Sequence, residues 1–184
     1  MKIVGVTGTF GSGKSLVRNL LKEHFDSYHI ALSTVLKRRL GRGVERKSLQ
    51  DFGNEMRMKF GHHILAEIAS ESLPEKELII IDGIRNPGET EFLRKKFGND
   101  FKLVGIDAPI QLRFERIARR KYEKIKNFRQ FLELDERDKG KNEPEWGQQV
   151  AKCLEQADYL IINDGTIEDL RKKVEHVIKE LKGQ

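Results

Sequence analysis

The residues from Gly8 to Ser15 read Gly-Thr-Phe-Gly-Ser-Gly-Lys-Ser and fit G-x-x-x-x-G-K-[ST] at every fixed position. Glycines in that spacing let backbone N–H groups turn inward and cradle phosphate oxygens at a helix N-terminus. The cradle is Gly8, Thr9, Phe10, Gly11, Ser12 and Gly13. In such a loop Lys14 reaches the β- and γ-phosphates, and the Ser15 hydroxyl holds Mg²⁺. A second chemical group follows at Glu77-Leu-Ile-Ile-Ile-Asp82, an apolar strand that ends in a carboxylate. An aspartate at that place, after a phosphate loop, serves the metal through its water shell. The spacing therefore predicts binding of a nucleoside triphosphate with Mg²⁺. Where the phosphate goes is a separate question.

The elements that must position these groups are legible from periodicity. Strand-like runs at 3–7, about 28–32, 78–82, 103–107 and 159–163 alternate with helical patterns. Alternation of this kind predicts right-handed crossovers and a parallel sheet covered on both faces. After Ser15, Leu16, Val17, Leu20, Leu21 and Phe25 share one helical face. Thr166 and Asp169 form a capping box for a last, structural helix. Two stretches stand apart. Residues 33–73 read as helical throughout, with Ser48 and Asp51 as a further capping box. Residues 121–145 read as polar, charged and short of apolar side chains. Both are expected to be flaps that close over substrates and exclude water, the first an acceptor-binding insertion and the second a lid.

Composition narrows the setting. At 184 residues one domain is expected, with enough chain for a real core. The single cysteine, Cys153, excludes an intramolecular disulfide and reads as a buried structural thiol. No apolar run is long enough to span a bilayer, and a cytoplasmic location is expected. A charge of +6 suits a polyanionic ligand, and abundant Lys, Arg and Glu hint at a thermophilic source. His62 and His63 read as helix-start residues, since neither has a partner at ligand spacing.

Several segments resemble the P-loop nucleoside monophosphate kinases. Asp82-Gly-Ile-Arg85 resembles their D-G-x-x-R motif with one residue fewer between Gly and Arg. That resemblance implies that Asp82 serves Mg²⁺ and Arg85 contacts acceptor phosphate. Glu115-Arg116-Ile117-Ala118-Arg119-Arg120 is similar to the segment that opens the lid in that family. It implies that Arg116 stacks on the base and Arg120 neutralises the transferring phosphoryl group, tasks that suit a planar guanidinium. Arg113, Arg116 and Arg120 fall at i, i+3 and i+7, away from Phe114, Ile117 and Ala118, which are expected to face the core. Arg129 and Arg137 are further lid arginines, either functional or bridged to Glu133, Asp135 or Asp138.

On the acceptor side, Ser33-Thr-Val-Leu-Lys37 stands where related sequences often read S-D-x-L-R, so Lys37 replaces an arginine. Arg46-Lys-Ser-Leu-Gln50-Asp-Phe-Gly53 and Arg57 resemble the R-x-x-L-Q-x-x-G…R pattern of phage-type deoxynucleoside monophosphate kinases. The likeness implies that Arg46 and Arg57 bind acceptor phosphate and that Gln50 reads a base. Arg38, Arg39 and Lys47, in the same basic run, read as a solvated face. Asn163 and Gly165, in the loop after the last strand, are where that family brushes the adenine with backbone groups.

The resemblance implies a three-layer α/β/α fold with a five-stranded parallel sheet, order 2-3-1-4-5, and a lid. It implies an ATP- and Mg²⁺-dependent kinase in which Lys14, Arg85, Arg116 and Arg120 act on the transferring phosphate. The acceptor it implies is a nucleoside or deoxynucleoside monophosphate. The likeness extends to archaeal adenylate-kinase-related and dephospho-coenzyme A kinase-like proteins. Transfer to a hydroxyl, as in dephospho-coenzyme A kinases, is one alternative. A P-loop ATPase switch with an RNA or protein partner is another. The chain carries no aromatic-interleaved basic platform of the kind single-strand binders use. A monomer or homodimer is expected, without a membrane partner.

Overall fold

The computed structural model describes residues 1–41, 45–120, 125 and 127–183. Arg42 of the basic run, and 121–124 and 126 of the expected lid, lie outside the described residues. Five parallel strands run in the order β2-β3-β1-β4-β5, as expected. They are β1 (Lys2–Gly8), β2 (Ser27–Ala31), β3 (Leu78–Ile84), β4 (Phe101–Asp107) and β5 (Tyr159–Ile162).

Alternation along the strands sorts side chains to two faces. Val4, Val6, Leu78, Ile80, Val104 and Ile106 pack under α1 (Lys14–His24) and α9 (Ile167–Lys182). Ile3, Ile79, Ile81, Phe101 and Leu103 pack on the other face. That face is covered by α2 (Leu32–Leu40), α4 (Ile64–Ala69), α5 (Pro87–Phe97) and α8 (Val150–Glu155), with α3 (Arg46–Phe60) outside. Leu78 to Ile81 are fully buried, which is why that stretch reads as continuously apolar. The buried Cys153 sits in α8, where burial pushes its thiol up and leaves it inert.

Four local expectations are corrected. The third strand does not end at Asp82. It continues to Ile84 through a bulge, because Val6 pairs with Asp82 and Thr7 with Ile84. Gly83, at φ 87°, is the extra residue, and the bulge re-aims the chain that carries Arg85. Residues 33–73 are three helices broken at Gly41 and Gly61, and α2 and α4 belong to the main core. Ser48 and Asp51 cap nothing. Helix α3 starts three residues earlier than that box would place it, at Arg46, and its N-cap Glu45 makes no side-chain bond. Tertiary contacts of Arg46 and Gln50, described below, fix that start instead of a local signal. Finally, 121–145 is not short of apolar anchors. Helix α7 (Phe128–Lys139) buries Phe131 against Phe10 and Phe114, with Ile117 of α6 (Ile110–Ala118) closing a small third core.

The capping boxes at the other helices are present. Thr166 and Asp169 cap α9, and Asn86, Pro87 and Glu89 cap α5. His63 stacks on Phe92 at 5.3 Å between ring centres. Glu89 carries a second load. Its Oε1 accepts from Arg57 Nε at 2.8 Å and pairs with Nη2 at 2.7 Å, both side chains being buried. Its Oε2 accepts from the backbone N–H groups of Arg85 and Asn86. One carboxylate thus ties α3 to the turn after β3. Arg57→Met leaves Glu89 buried without its cation and is expected to cost about 3 kcal/mol in urea denaturation. A loss below about 1 kcal/mol, the range of an exposed pair, would show that the pair does not hold α3.

Candidate active site

The phosphate loop leaves β1 and enters α1 through Gly13, at φ 101° and ψ 19°. A side chain at Gly13 would strike the Asn163 amide, so the left-handed turn and the close approach both demand glycine. Three strand ends brace the loop from outside. Thr9 Oγ1 donates to Asp107 Oδ1 at 2.5 Å, after β4. Asn163 Nδ2 donates to Ser12 O at 2.8 Å, after β5. Thr7 Oγ1 donates to Ile84 O at 2.8 Å, at the end of β3. The Ser12 hydroxyl is buried with no partner among the described residues. An orphaned donor in a glycine cradle fits a phosphate ligand.

Lys14 folds under the loop and donates to Gly8 O and Thr9 O, both at 2.8 Å. Burial, then the Arg85 guanidinium, lowers its ammonium to about 7, with Arg46 adding to the effect and Asp82 and Asp138 opposing it. Ser15 is exposed on the first turn of α1. Asp82 lies beside Val6 on the neighbouring strand. Its Oδ2 is 3.3 Å from Arg18 Nη1 and 3.6 Å from His29 Nε2. Burial pushes the Asp82 carboxyl up, but the His29 hydrogen bond and the charges of Lys14, His29 and Arg18 hold it below the usual range.

On the far side, Arg116 Nη2 donates to Asn163 O at 3.1 Å, so the arginine helix and the loop carrying Asn163 and Gly165 adjoin. Arg120 follows the end of α6, its backbone N–H bonded to Ile117 O at 2.9 Å. Arg113 departs from expectation. It is buried, not on an outward face with Arg116 and Arg120, while Ala118 is exposed. Its Nη2 pairs with Asp135 Oδ2 at 3.0 Å, and it donates to Ala108 O at 2.8 Å and Phe10 O at 3.1 Å. Arg113 therefore holds a carbonyl of the phosphate loop.

Lys37, Arg46, Gln50, Arg57 and Arg85 all line one cavity of about 430 Å³, with Leu32, Leu36 and Leu65 as apolar wall. The Arg46 guanidinium lies 3.8 Å from the centre of the Phe10 ring. Arg46, Gln50 and Arg85 also meet at a single buried carboxylate, Asp138 of α7. Arg85 Nη1 donates to its Oδ1 at 2.6 Å, and Arg46 and Gln50 Nε2 take the remaining positions. Burial pushes the Asp138 carboxyl up, but Arg46, Arg85 and the bonds from Gln50 and Arg46 hold it far below the usual range. Neither of the other lid arginines joins this group. Arg129 is exposed on Glu133, and Arg137 braces Asp51 and Glu143, not Asp135 or Asp138.

An AAA domain model matches residues 4–138, most of the chain. The chain belongs to that family. It also belongs with the UPF0200 proteins. It is 33% identical to the one from Sulfurisphaera tokodaii, over 98% of both chains. It is 32% identical to the UPF0200/UPF0201 protein of Archaeoglobus fulgidus, matching over 98% of its own length and spanning 56% of that relative. Among solved structures, shikimate kinase from Acinetobacter baumannii in complex with shikimate aligns with TM-score 0.57 and 19% identity, over 100% of this chain and 96% of that one. Shikimate kinase from Aquifex aeolicus gives 0.55 at 18%, over 98% and 96%. At that identity the likeness shows the fold, that of the P-loop kinases, and no substrate.

Sequence reasoning missed Asp138, Arg18, His29, Arg113, Asp135 and Glu89 as organisers of the site. Except for the capping bonds of Glu89 to the turn at Arg85 and Asn86, their organising partners lie farther along the chain than helical spacing reaches. The one local signal is burial periodicity, since Phe131, Asp135 and Asp138 share a face of α7 and all are buried. Lys14 yields a test. Bound phosphate demands the ammonium form, so binding above pH 7 must take up a proton, and affinity falls by up to about tenfold per pH unit as pH rises. Below pH 7 Lys14 is already charged and the uptake fades. Calorimetry of ATP-Mg²⁺ binding in two buffers of different ionisation enthalpy reads the proton count. Uptake that persists unchanged in Lys14→Met would assign the proton elsewhere.

Proposed function

We propose that the chain is an ATP-dependent phosphotransferase acting on a small phosphorylated acceptor, a nucleoside or deoxynucleoside monophosphate. One observation carries this reading. Arg46 and Arg85 line the cavity and are also among the charges that depress Lys14, so the cavity adjoins the phosphate loop. A donor phosphate on Lys14 and an acceptor anion on those arginines would lie within reach of one another.

In this reading the loop amides and Lys14 hold the donor phosphates. Ser15 and Asp82 hold Mg²⁺, which supplies charge neutralisation between the phosphates. Arg116 and the loop of Asn163 and Gly165 flank the base. Arg85 and Arg120 meet the negative charge of the transferring group. Lys37, Arg46, Gln50 and Arg57 take the acceptor. Phosphoryl transfer asks for in-line positioning and cations more than covalent help, and this set supplies both. Helix α7, the described part of the lid, excludes water over the junction. A hydroxyl acceptor is a second reading, favoured by the buried Asp138 carboxylate at the cavity wall, which could orient a hydroxyl proton.

ADP release from ATP-Mg²⁺, measured across ribo- and deoxynucleoside monophosphates and dephospho-coenzyme A, tests the reading. Strong stimulation by one monophosphate is expected. Stimulation by dephospho-coenzyme A alone would favour the hydroxyl acceptor, and slow release indifferent to every acceptor would favour a nucleotide switch. Lys14→Ala should cut turnover by at least about a hundredfold while the fold survives. Arg120→Ala should lower kcat more than ATP affinity, because its charge matters most in the transition state. An unchanged kcat removes Arg120 from the set.

A further inference from the structure

Asp138 is an odd wall for an acceptor cavity. Its side chain is 2% exposed, and it is a negative charge at the place where an anionic acceptor is expected to bind. Its three donors come from two elements: Arg46 and Gln50 from the first turns of α3, and Arg85 from the turn after the β3 bulge. Two guanidinium groups and an amide converging on one point form a receptor for an oxyanion, either carboxylate or phosphate. Here the oxyanion is supplied by the lid helix.

The receptor has a bond to spare. Arg57 is buried and lines the same cavity, and its Nη1 donor has no partner among the described residues. Such a donor carries a desolvation cost until an anion satisfies it. The Arg57 charge is met by Glu89 through Nε and Nη2, which leaves Nη1. A dianionic phosphate offers more acceptor oxygens to Arg46, Arg85 and that donor than a single carboxylate does.

We propose that Asp138 is a tethered stand-in for the acceptor's phosphate: it latches α7 onto Arg46, Gln50 and Arg85, and an incoming dianionic phosphate displaces it. The inference rests on the cavity being the acceptor site. The energy of the latch is then exchanged for that of the acceptor.

Inorganic phosphate at pH 8, where it is dianionic, is the probe, added to the full chain and to Asp138→Asn. The chain's single tryptophan, Trp146, lies two residues from Gln148 of the cavity wall and reports binding by fluorescence. Removing the competitor should tighten phosphate binding at least tenfold, and Arg85→Met should weaken it in both backgrounds. Equal or weaker binding by Asp138→Asn, with the parent chain binding phosphate, overturns the latch and leaves the acceptor site standing. Failure of both folded proteins to bind phosphate overturns latch and acceptor site together. Should Asp138→Asn not fold, hydrogen exchange of the parent chain decides. Phosphate must accelerate exchange of the α7 amides, and unchanged or slower exchange overturns the latch.

Discussion

A carboxylate buried without a cation costs several kcal/mol, and helix α7 carries two, Asp135 and Asp138, on one face. The position of the helix follows from their needs. Asp135 takes Arg113 from α6 and Lys139 from its own helix, and Asp138 takes Arg46 and Arg85. No arginine reaches these carboxylates unless α7 lies across the end of the sheet, between the arginine helix and α3. The Phe131 contact with Phe10 adds apolar burial to the same placement. Because Arg113 also holds Phe10 O, the first of these pairs reaches the backbone of the phosphate loop itself.

The sheet does the corresponding work from below. A parallel sheet delivers its strands' carboxyl ends to one edge, and ligands of open α/β sheets bind there. In this chain the ends of β3, β4 and β5 each bond to the loop or to the residue before it. Asp107 meets Thr9, Asn163 meets Ser12, and Ile84 accepts from Thr7. The bulge at Gly83 then turns the chain so that Arg85 meets Asp138 while its backbone N–H meets Glu89. The phosphate loop, after β1, and Asp82 and Arg85, on and after β3, are therefore held at a single edge of the sheet.

What was legible in the sequence divides along the same line. The alternation of strands and helices, the phosphate loop and the capping of α9 rest on local patterns, and these match the structure. The strand order came from likeness to the kinase family and matches as well. The cavity lined by Lys37, Arg46, Gln50, Arg57 and Arg85 came from likeness to a family pattern, not from spacing. The buried pairs were not legible, because an aspartate in a charged helix looks the same whether it meets water or two guanidinium groups. Arg113 shows the difficulty most plainly. Helical spacing set it with Arg116 and Arg120, yet its burial is decided by Asp135, twenty-two residues away. Ser48 failed for a related reason, since α3 begins where Arg46 and Gln50 can reach Asp138.

Phe10 links the two halves of the site. The loop motif leaves its position open, because only the backbone there serves phosphate. In this chain the ring is buried, lies against the Arg46 guanidinium at 3.8 Å and stacks on Phe131 at 5.6 Å. The phosphate loop, Arg46 and α7 thus share one side chain. Packed interiors resist continuous deformation, so a shift of any one of the three must be taken up by the others or cost contact area. The residue that the nucleotide-binding motif leaves unspecified is the one through which this fold couples the phosphate loop, α3 and α7.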